Sequence, residues 1–103
     1  MRITWPTALV IAAIERGHGY GFDIIDVTGL RAGTVYPILR RLEAERLVRS
    51  SWERVTQARA EGRPPRRNYR LTAAGQEVVS QTHARYPGVS RALVPPSGSE
   101  QPA

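Results

Sequence analysis

The sequence predicts a mainly α-helical domain that carries one small β-hairpin. Apolar residues recur at helical spacing in three segments before residue 47, and two short alternating segments and a last helical segment follow. A short helix, a tight glycine turn and an amphipathic helix are together typical of a helix-turn-helix, and a hairpin after them makes a winged helix-turn-helix. With 103 residues, the chain is long enough for one small domain with a single core.

The first two predicted helices are short and rich in apolar residues. The first begins at Pro6, whose fixed φ suits a first helical turn, and ends at Gly17. Because this helix is apolar on nearly every side, it is either the central core helix or partly buried against a second subunit. A compact second helix is expected from Phe22 to Val27, with Phe22, Ile25 and Val27 facing inward.

The third predicted helix runs from about Gly33 to Arg46. Pro37 is compatible with it only if the helix begins near Thr34, because a proline deeper in a helix removes a hydrogen bond. One face of this helix is apolar and is expected to pack on the core: Val35, Ile38, Leu39 and Leu42. The opposite face combines small or flat residues with two arginines: Gly33, Tyr36, Pro37, Arg40, Arg41 and Ala44.

Residues 47–53 and 68–71 alternate in polarity and are expected to pair as a hairpin, joined by a long polar loop over residues 54–67. A last helix is predicted from the capping residue Thr72 to about Arg85. Its modest apolar stripe is assigned to Ala74, Val78, Gln81 or Thr82, and Arg85 or Tyr86.

The predicted domain therefore covers residues 1–86. The helix over about residues 72–86 is expected to aid dimerisation, together with the apolar first helix. Residues 87–103 are rich in Pro, Ser and Gly and are expected to form a disordered tail.

The positive charge of the chain is confined to one segment. The formal net charge is +6, and every basic residue is an arginine. Ten arginines and four acids lie within residues 40–70, while arginines and acids balance in the rest of the chain. A preference for Arg over Lys fits a high-GC genome, but it does not explain the clustering. A localised positive field indicates a polyanionic partner, above all nucleic acid.

Several classes of function are not expected. The chain has no cysteine, which excludes disulfides and thiolate metal sites, and no apolar run approaches the ~20 residues that cross a bilayer. His18 and His83 lack acidic neighbours at ligand spacing, and no nucleophile, base and orienting group can be assembled. We expect no enzyme, no metal and no cofactor, and a cytoplasmic protein without a secretory signal.

The sequence resembles the PadR-like family of bacterial transcriptional regulators over residues 7 to about 80. The resemblance is carried by Gly19-Tyr20-Gly21-Phe22, by residues 33–43 (GTVYPILRRLE), by Leu47-Val48, by residues 62–69 (GRPPRRNY) and by residues 71–75 (LTAAG). It implies a winged-helix dimer that binds a palindromic operator in double-stranded DNA and usually represses transcription. Two features depart from the larger members: a short segment between Phe22 and Gly33, and a short C-terminal region.

The third helix supplies the first candidate DNA contacts. The resemblance implies that Thr34 and Tyr36 contact DNA; Thr34 could bond a phosphate or cap the helix, and Tyr36 could donate its hydroxyl to a phosphate or be half-buried. Arg40 can read guanine with a bidentate fork, and Arg41 points more sideways. Alternatively both arginines clamp phosphates or pair with a nearby acid: Glu43, Glu45 or Glu15.

The segment between the two predicted strands supplies the others. Arg63, Arg66 and Arg67 lie in an extended, proline-stiffened strip that is expected to contact phosphates and could enter a minor groove. The alternative is a mobile loop that touches phosphates nonspecifically. We expect this wing to supply affinity, while Tyr36 and Arg40 set register and sequence preference.

Two further possibilities stay open. Trp5 and Trp52 could form a flat pocket for a small aromatic effector, although anchors of the core or of a dimer interface are the better interpretation. A winged helix can also be a protein-interaction module whose arginines bind an acidic partner.

Overall fold

The computed structural model describes residues 2–95. It confirms the predicted class, a mainly helical fold with one antiparallel hairpin. The elements follow in this order along the chain: α1 (Trp5–Glu15), α2 (Gly21–Thr28), α3 (Ala32–Ala44), β1 (Val48–Trp52), α4 (Val55–Ala60), β2 (Arg67–Leu71), α5 (Ala73–Arg85) and α6 (Val89–Ala92).

Helix α1 is the central core helix, the first of the two alternatives. Its start is capped by Thr4, whose hydroxyl accepts from the Thr7 amide at 3.4 Å. Every residue from Thr7 to Ile14 is buried, because α2, α3, β2, α5 and α6 all pack around this helix. None of the helices within residues 2–95 has the length and apolar character needed to span a membrane.

Helix α2 differs from the prediction in the direction of Phe22. That side chain is 74% exposed, and the expectation that it faces inward was wrong. Ile25 is only partly buried, whereas Val27, as predicted, and Ile24, which was not predicted, are fully buried. The helix starts at Gly21, so these two positions fall on the face toward the core and Phe22 on the opposite one.

Helix α3 buries the predicted stripe of Val35, Ile38, Leu39 and Leu42. It begins at Ala32 rather than near Thr34, so Pro37 lies inside the helix and that expectation was wrong. Pro37 cannot donate to the Gly33 carbonyl four residues earlier. Because Gly33 is exposed, water can satisfy this carbonyl and the proline is tolerated.

Strands β1 and β2 form the hairpin, in a register that pairs Val48 with Leu71 and Trp52 with Arg67. The prediction of a long polar loop between the two strands was wrong, because this segment contains α4. Burial of Ala58 stabilises this short helix, and Gly62 ends it with a φ of 70°. An isolated bridge between Tyr20 and Asn68 attaches the hairpin to the turn before α2.

Helix α5 is held against the turn between α3 and β1. Thr72 caps it by accepting from the Gly75 amide at 3.0 Å, and the same hydroxyl donates to the Arg46 carbonyl at 2.7 Å. The Thr72 amide donates to the Leu47 carbonyl at 3.0 Å. A side chain at Gly75 would overlap that carbonyl, so this close contact requires glycine.

The contact at Gly75 also sets which face of α5 is buried. Of the predicted stripe, Thr82 is buried, which confirms that alternative over the exposed Gln81, but Ala74 is exposed and Gly75 and Val79 are buried in place of Ala74 and Val78. Val78 is only partly buried, at the edge of the core.

The prediction of a disordered tail from residue 87 was wrong for residues 87–95. Val89 of α6 is fully buried and forms a second apolar cluster with Ala8, Leu9 and Ala12 of α1. The Val94 amide also donates to the Val27 carbonyl at 2.9 Å, which fixes this segment to the end of α2. The rest of the predicted tail, residues 96–103, lies outside the described residues.

Candidate nucleic-acid interface

The outward face of α3 presents Gly33, Tyr36 and Arg40 one turn after another. Tyr36 is 38% exposed, and Arg40 and Arg41 are exposed. Within residues 2–95 the side chain of neither arginine makes an ion pair or a hydrogen bond. Their donors are therefore available to an external acceptor.

The acids once considered as partners of Arg40 and Arg41 are not bound to them. Glu43 accepts from the Ser50 hydroxyl at 2.6 Å and pairs with Arg67 at 3.4 Å. Glu15 lies 3.0 Å from His83, across α1 and α5, and no described arginine pairs with Glu45. The pairing alternative for the two α3 arginines was wrong.

Thr34 lies in the first turn of α3 and does not cap it. Arg31 occupies the N-cap position, and no side-chain hydrogen bond caps this helix. The capping alternative for Thr34 was therefore wrong. The Thr34 amide donates to the Arg31 carbonyl at 2.9 Å, which leaves its half-buried hydroxyl at the start of the outward face.

A cleft of about 420 Å³ separates α3 from the hairpin, and we call it the aromatic cleft. It is lined by rings and arginines from α2, α3 and both strands: Tyr20, Gly21, Phe22, Tyr36, Arg40, Trp52, Arg66, Arg67 and Tyr69. The Tyr36 ring packs on Gly21, where an added Cβ would lie 2.7 Å from the Tyr36 hydroxyl. Four sequence-predicted contacts thus share one surface: Tyr36, Arg40, Arg66 and Arg67.

The segment between β1 and β2 is organised around Glu53, whose side chain is only 2% exposed. The two terminal guanidinium nitrogens of Arg63 donate to the two carboxylate oxygens of Glu53. The hydrogen bond from Nη2 to Oε2 is 2.8 Å long. Arg66 donates to the same carboxylate through its side chain and its amide, each at 3.3 Å. We call this set the wing clamp. Its hydrogen bonds join the start of the segment that contains α4, at Glu53, to its end, at Arg63 and Arg66.

The wing clamp perturbs the ionisation of its members. Hydrogen bonds from Arg63, and then from Arg66, outweigh desolvation and lower the pKa of Glu53 from 4.5 to about 2. The carboxylate in turn raises the pKa of Arg63 above its ordinary value. The clamp is therefore fully charged at neutral pH.

Arg66 also connects the wing clamp to the helix-turn-helix. Its guanidinium carbon lies 3.9 Å from the centre of the Tyr20 ring, which is close enough for a cation–π interaction. Its Nε is buried and has no hydrogen-bond partner within the described part of the chain. Arg66 is thus held between Glu53 and Tyr20.

Arg67 is bound to the side of α3 through its ion pair with Glu43, at 3.4 Å. Its Nε donates to the Ser50 hydroxyl at 2.9 Å, and its guanidinium carbon lies 5.8 Å from the Trp52 ring and 5.9 Å from the Tyr69 ring. Burial raises the pKa of the Tyr69 hydroxyl above its ordinary value. With 45% of its side chain exposed, Arg67 still reaches solvent.

The structure thus divides the arginines of residues 40–70 into two groups. Arg63, Arg66 and Arg67, the ones assigned to the wing from the sequence, are paired with Glu53, Glu61 and Glu43. The others have no ion-pair partner within residues 2–95: Arg40, Arg41, Arg46, Arg49, Arg54, Arg59 and Arg70. The unpaired positive charge therefore lies on α3, on α4 and on the hairpin strands.

Trp5 and Trp52 do not form one pocket. Trp5 packs edge-to-face on Tyr86, with ring centres 5.5 Å apart, whereas Trp52 lines the aromatic cleft. Trp52 is 67% exposed, so its interpretation as a core anchor was wrong.

Sequence reasoning missed Glu53 and Tyr20, which hold the wing in place. One signal was available for Glu53: it is an isolated acid in a strongly basic segment, and such an acid can be buried only if it is paired. Among residues 2–95, no cluster of three or more histidine and acidic side chains is arranged to bind a metal ion.

Comparison with known proteins gives a family match over most of the domain. Residues 10–81 match the model of the transcriptional regulator PadR-like family. No curated protein matches the chain significantly.

Two solved structures share the fold. A PadR family transcription regulator from Clostridium difficile R20291 is 20% identical, with a TM-score of 0.70 over 85% of this chain and 93% of that one. A PadR-like transcription factor from Bacteroides fragilis is 26% identical, with a TM-score of 0.64 over 82% of each chain.

Proposed function

This chain belongs to the PadR-like family and is a DNA-binding transcriptional regulator, and from that premise we propose that it represses transcription as a homodimer on a palindromic operator. The members of this family are regulators and not enzymes, which confirms the expectation that the chain has no catalytic function. We further propose that it acts in the cytoplasm, where bacterial DNA is accessible.

One observation carries the proposed mode of binding: the exposed, unpaired Arg40 follows Tyr36 and Gly33 along the outward face of α3. Gly33 permits close approach to DNA at the start of the helix, and the Tyr36 hydroxyl and the Thr34 hydroxyl donate to phosphates. Arg40 then reaches the guanine edge in the major groove, where a bidentate fork discriminates between base pairs. Arg41, one position further round the helix, clamps a phosphate.

The wing takes a modified role in this proposal. Arg66 and Arg67 line the aromatic cleft beside α3 and remain candidates for phosphate contact. Arg63 instead supports the wing through Glu53, because both of its terminal nitrogens are already bonded there. Unpaired Arg54 and Arg59 at α4 add phosphate contacts at the wing tip.

We expect Arg40→Ala and Arg41→Ala to weaken DNA binding in different ways. The operator is first obtained by sequencing genomic fragments that the purified protein retains. Loss of a base-reading fork in Arg40→Ala reduces the preference for operator over random duplex by about 5- to 150-fold, since such a fork contributes ~1–3 kcal/mol. Arg41→Ala is the matched control with the same charge change, and it weakens binding to both duplexes equally.

Gel shifts at physiological salt measure both affinities. Equal losses on operator and random DNA in Arg40→Ala would show that Arg40 does not read bases. If the unchanged protein retains no duplex at all, the proposed function is wrong and an acidic protein partner becomes the better explanation for the positive surface.

The proposed dimer cannot use the apolar face of α1, because residues 7–14 are buried within the subunit. We place it at α5, next to a groove lined by Ile3, Leu47 and Val78. Sedimentation equilibrium tests this assignment: Val78→Glu is expected to yield monomers, and a dimer that survives this change lies elsewhere.

A small aromatic effector, if it acts on this protein, has a defined place in the proposal. The aromatic cleft offers ring surfaces beside Tyr36 and Arg40, so a ligand there competes directly with DNA. Aromatic carboxylates added to the gel shift are expected to release the operator. Retention of the complex at millimolar ligand would contradict a site in this cleft.

A further inference from the structure

Two arginines face each other directly across the hairpin. Arg49 of β1 and Arg70 of β2 are register partners, and both are exposed. They project on the side of the hairpin opposite to Val48 and Tyr69, which are buried in the core. Like charges that lie directly opposite in an antiparallel pair destabilise the sheet.

Neither arginine of this pair has an ion-pair partner within residues 2–95. Neither Arg49 nor Arg70 makes an ion pair, a hydrogen bond through its side chain or a cation–π contact. The contrast with Arg63, Arg66 and Arg67 is sharp, since each of those has a carboxylate partner. Within residues 2–95, therefore, no ion pair offsets the repulsion between Arg49 and Arg70.

A cleft of about 500 Å³ opens beside the two arginines, and we call it the hairpin cleft. Its lining contains no acid and adds two hydroxyl-bearing side chains: Arg49, Ser51, Arg70, Leu71, Thr72 and Ala73. It shares no residue with the aromatic cleft. The hairpin thus has two distinct cationic surfaces, one on each side.

We propose that the hairpin cleft binds a phosphoryl group between Arg49 and Arg70. A phosphate monoester carries a charge of about −1.5 to −2 at neutral pH and three terminal oxygens. Two guanidinium forks can bond those oxygens together and neutralise the charge, whereas a carboxylate offers one charge and two oxygens. The Ser51 hydroxyl, on the same side of β1, is a further donor.

The phosphoryl group can come from two sources. A backbone phosphate of DNA would extend the proposed DNA contacts to the outer side of the hairpin. A free phosphorylated molecule would make the cleft a ligand site separate from DNA binding. The assignment of the cleft rests on the arginine pair and not on the proposed function.

Pyrophosphate is the probe, titrated into the full chain in a phosphate-free buffer and followed by calorimetry. The double variant Arg49→Gln/Arg70→Gln is expected to lose at least tenfold in affinity, because both forks are removed. The control Arg16→Gln/Arg91→Gln removes the same charge from exposed arginines outside the wing and is expected to bind like the unchanged protein. Circular dichroism verifies that both variants fold.

Equal pyrophosphate affinity in the two double variants, or no binding by the unchanged protein, overturns the proposal. Thermal unfolding is an independent readout: pyrophosphate should raise the Tm of the unchanged protein and of the control, but not that of Arg49→Gln/Arg70→Gln.

A salt titration of duplex binding identifies the source. If DNA supplies the phosphate, the log–log salt slope of Arg49→Gln/Arg70→Gln is flatter by about two contacts. If that slope is unchanged while pyrophosphate binding is lost, the ligand is a free phosphorylated molecule. Pyrophosphate binding without any duplex binding would contradict only the proposed function.

Discussion

Gly21 and Gly33 both lie in the first turn of a helix, yet they have different surroundings. A Cβ at Gly21 would lie 2.8 Å from Cε1 of the Tyr36 ring, so glycine there is required by the packing of Tyr36. A Cβ at Gly33 would meet nothing within 4 Å. The fold does not require glycine at position 33, although glycine disfavours a helix. If function requires glycine at position 33, the reason is therefore close contact with a binding partner and not packing within the subunit.

We expect Gly33→Ala to separate stability from DNA binding. The free energy of unfolding should rise by up to about 1 kcal/mol, because alanine favours the helix and finds open space. Operator affinity should fall, because the added methyl group prevents the closest approach of α3 to the groove. Urea unfolding and gel shifts measure the two effects.

Gly88→Ala is the matched control for this substitution. A Cβ there also meets nothing within 4 Å, and Gly88 lies before α6, away from α3. Its operator affinity should not change. Unchanged operator affinity in Gly33→Ala would mean that the start of α3 does not approach DNA closely.

The wing is the part of the chain in which the structure differs most from the structure predicted from the sequence. Residues 54–67 look like a polar loop because α4 is short and has no amphipathic repeat long enough to detect. Its fixed conformation depends on Glu53 meeting Arg63 and Arg66, ten and thirteen residues away, and such a distant pairing is not visible in local propensity. By contrast, α3 was predictable because its apolar periodicity is strong, and the two strands were predictable from their loose alternation and their strand-forming residues.

The wing clamp should make stability depend on pH in the acid range. The pKa of Glu53 is about 2 in the folded protein, below its ordinary value of 4.5. Between these two pH values Glu53 is therefore charged in the folded protein and protonated in the unfolded chain. The stabilisation by the clamp is therefore complete above about pH 4.5 and decreases as pH falls toward 2.

Glu53→Gln, which cannot form the ion pairs, should show a smaller loss of stability over this interval. Urea unfolding at pH 6, 4, 3 and 2 compares the two proteins. Glu61→Gln is the control, since Glu61 is exposed and pairs only with Arg63, at 3.3 Å. The role assigned to the clamp is contradicted if the three proteins lose stability in parallel.

At the scale of the whole molecule, the core continues beyond the predicted domain. The Pro, Ser and Gly content of residues 87–103 suggested disorder, but Val89 and Leu93 carry enough apolar surface to pack on α1 and α2. Part of this could be predicted from the sequence, because α1 is apolar on nearly every side and other parts of the protein must therefore pack on each of its faces. The sequence could not show that one of these parts is a four-residue helix.

Val89→Ala should destabilise the protein by about 1–3 kcal/mol, because it removes buried methyl groups from the contact between α6 and α1. Val94→Ala, at a position that is 51% exposed, should change the free energy of unfolding by less than about 0.5 kcal/mol. Urea unfolding of both variants is the measurement. Equal stability of the two would indicate that α6 contributes nothing to the folded state.

The contacts of Thr72 and Gly75 with the chain between α3 and β1 have a mechanical consequence. Thr72 bonds the carbonyls of Arg46 and Leu47, and Gly75 rests on the second of these, within one turn at the start of α5. No compliant linker separates α5 from α3 at this junction. In the proposed dimer, each α5 helix therefore keeps a fixed orientation relative to the α3 helix of its own subunit. The angle between the two α5 helices then determines the distance between the two α3 helices.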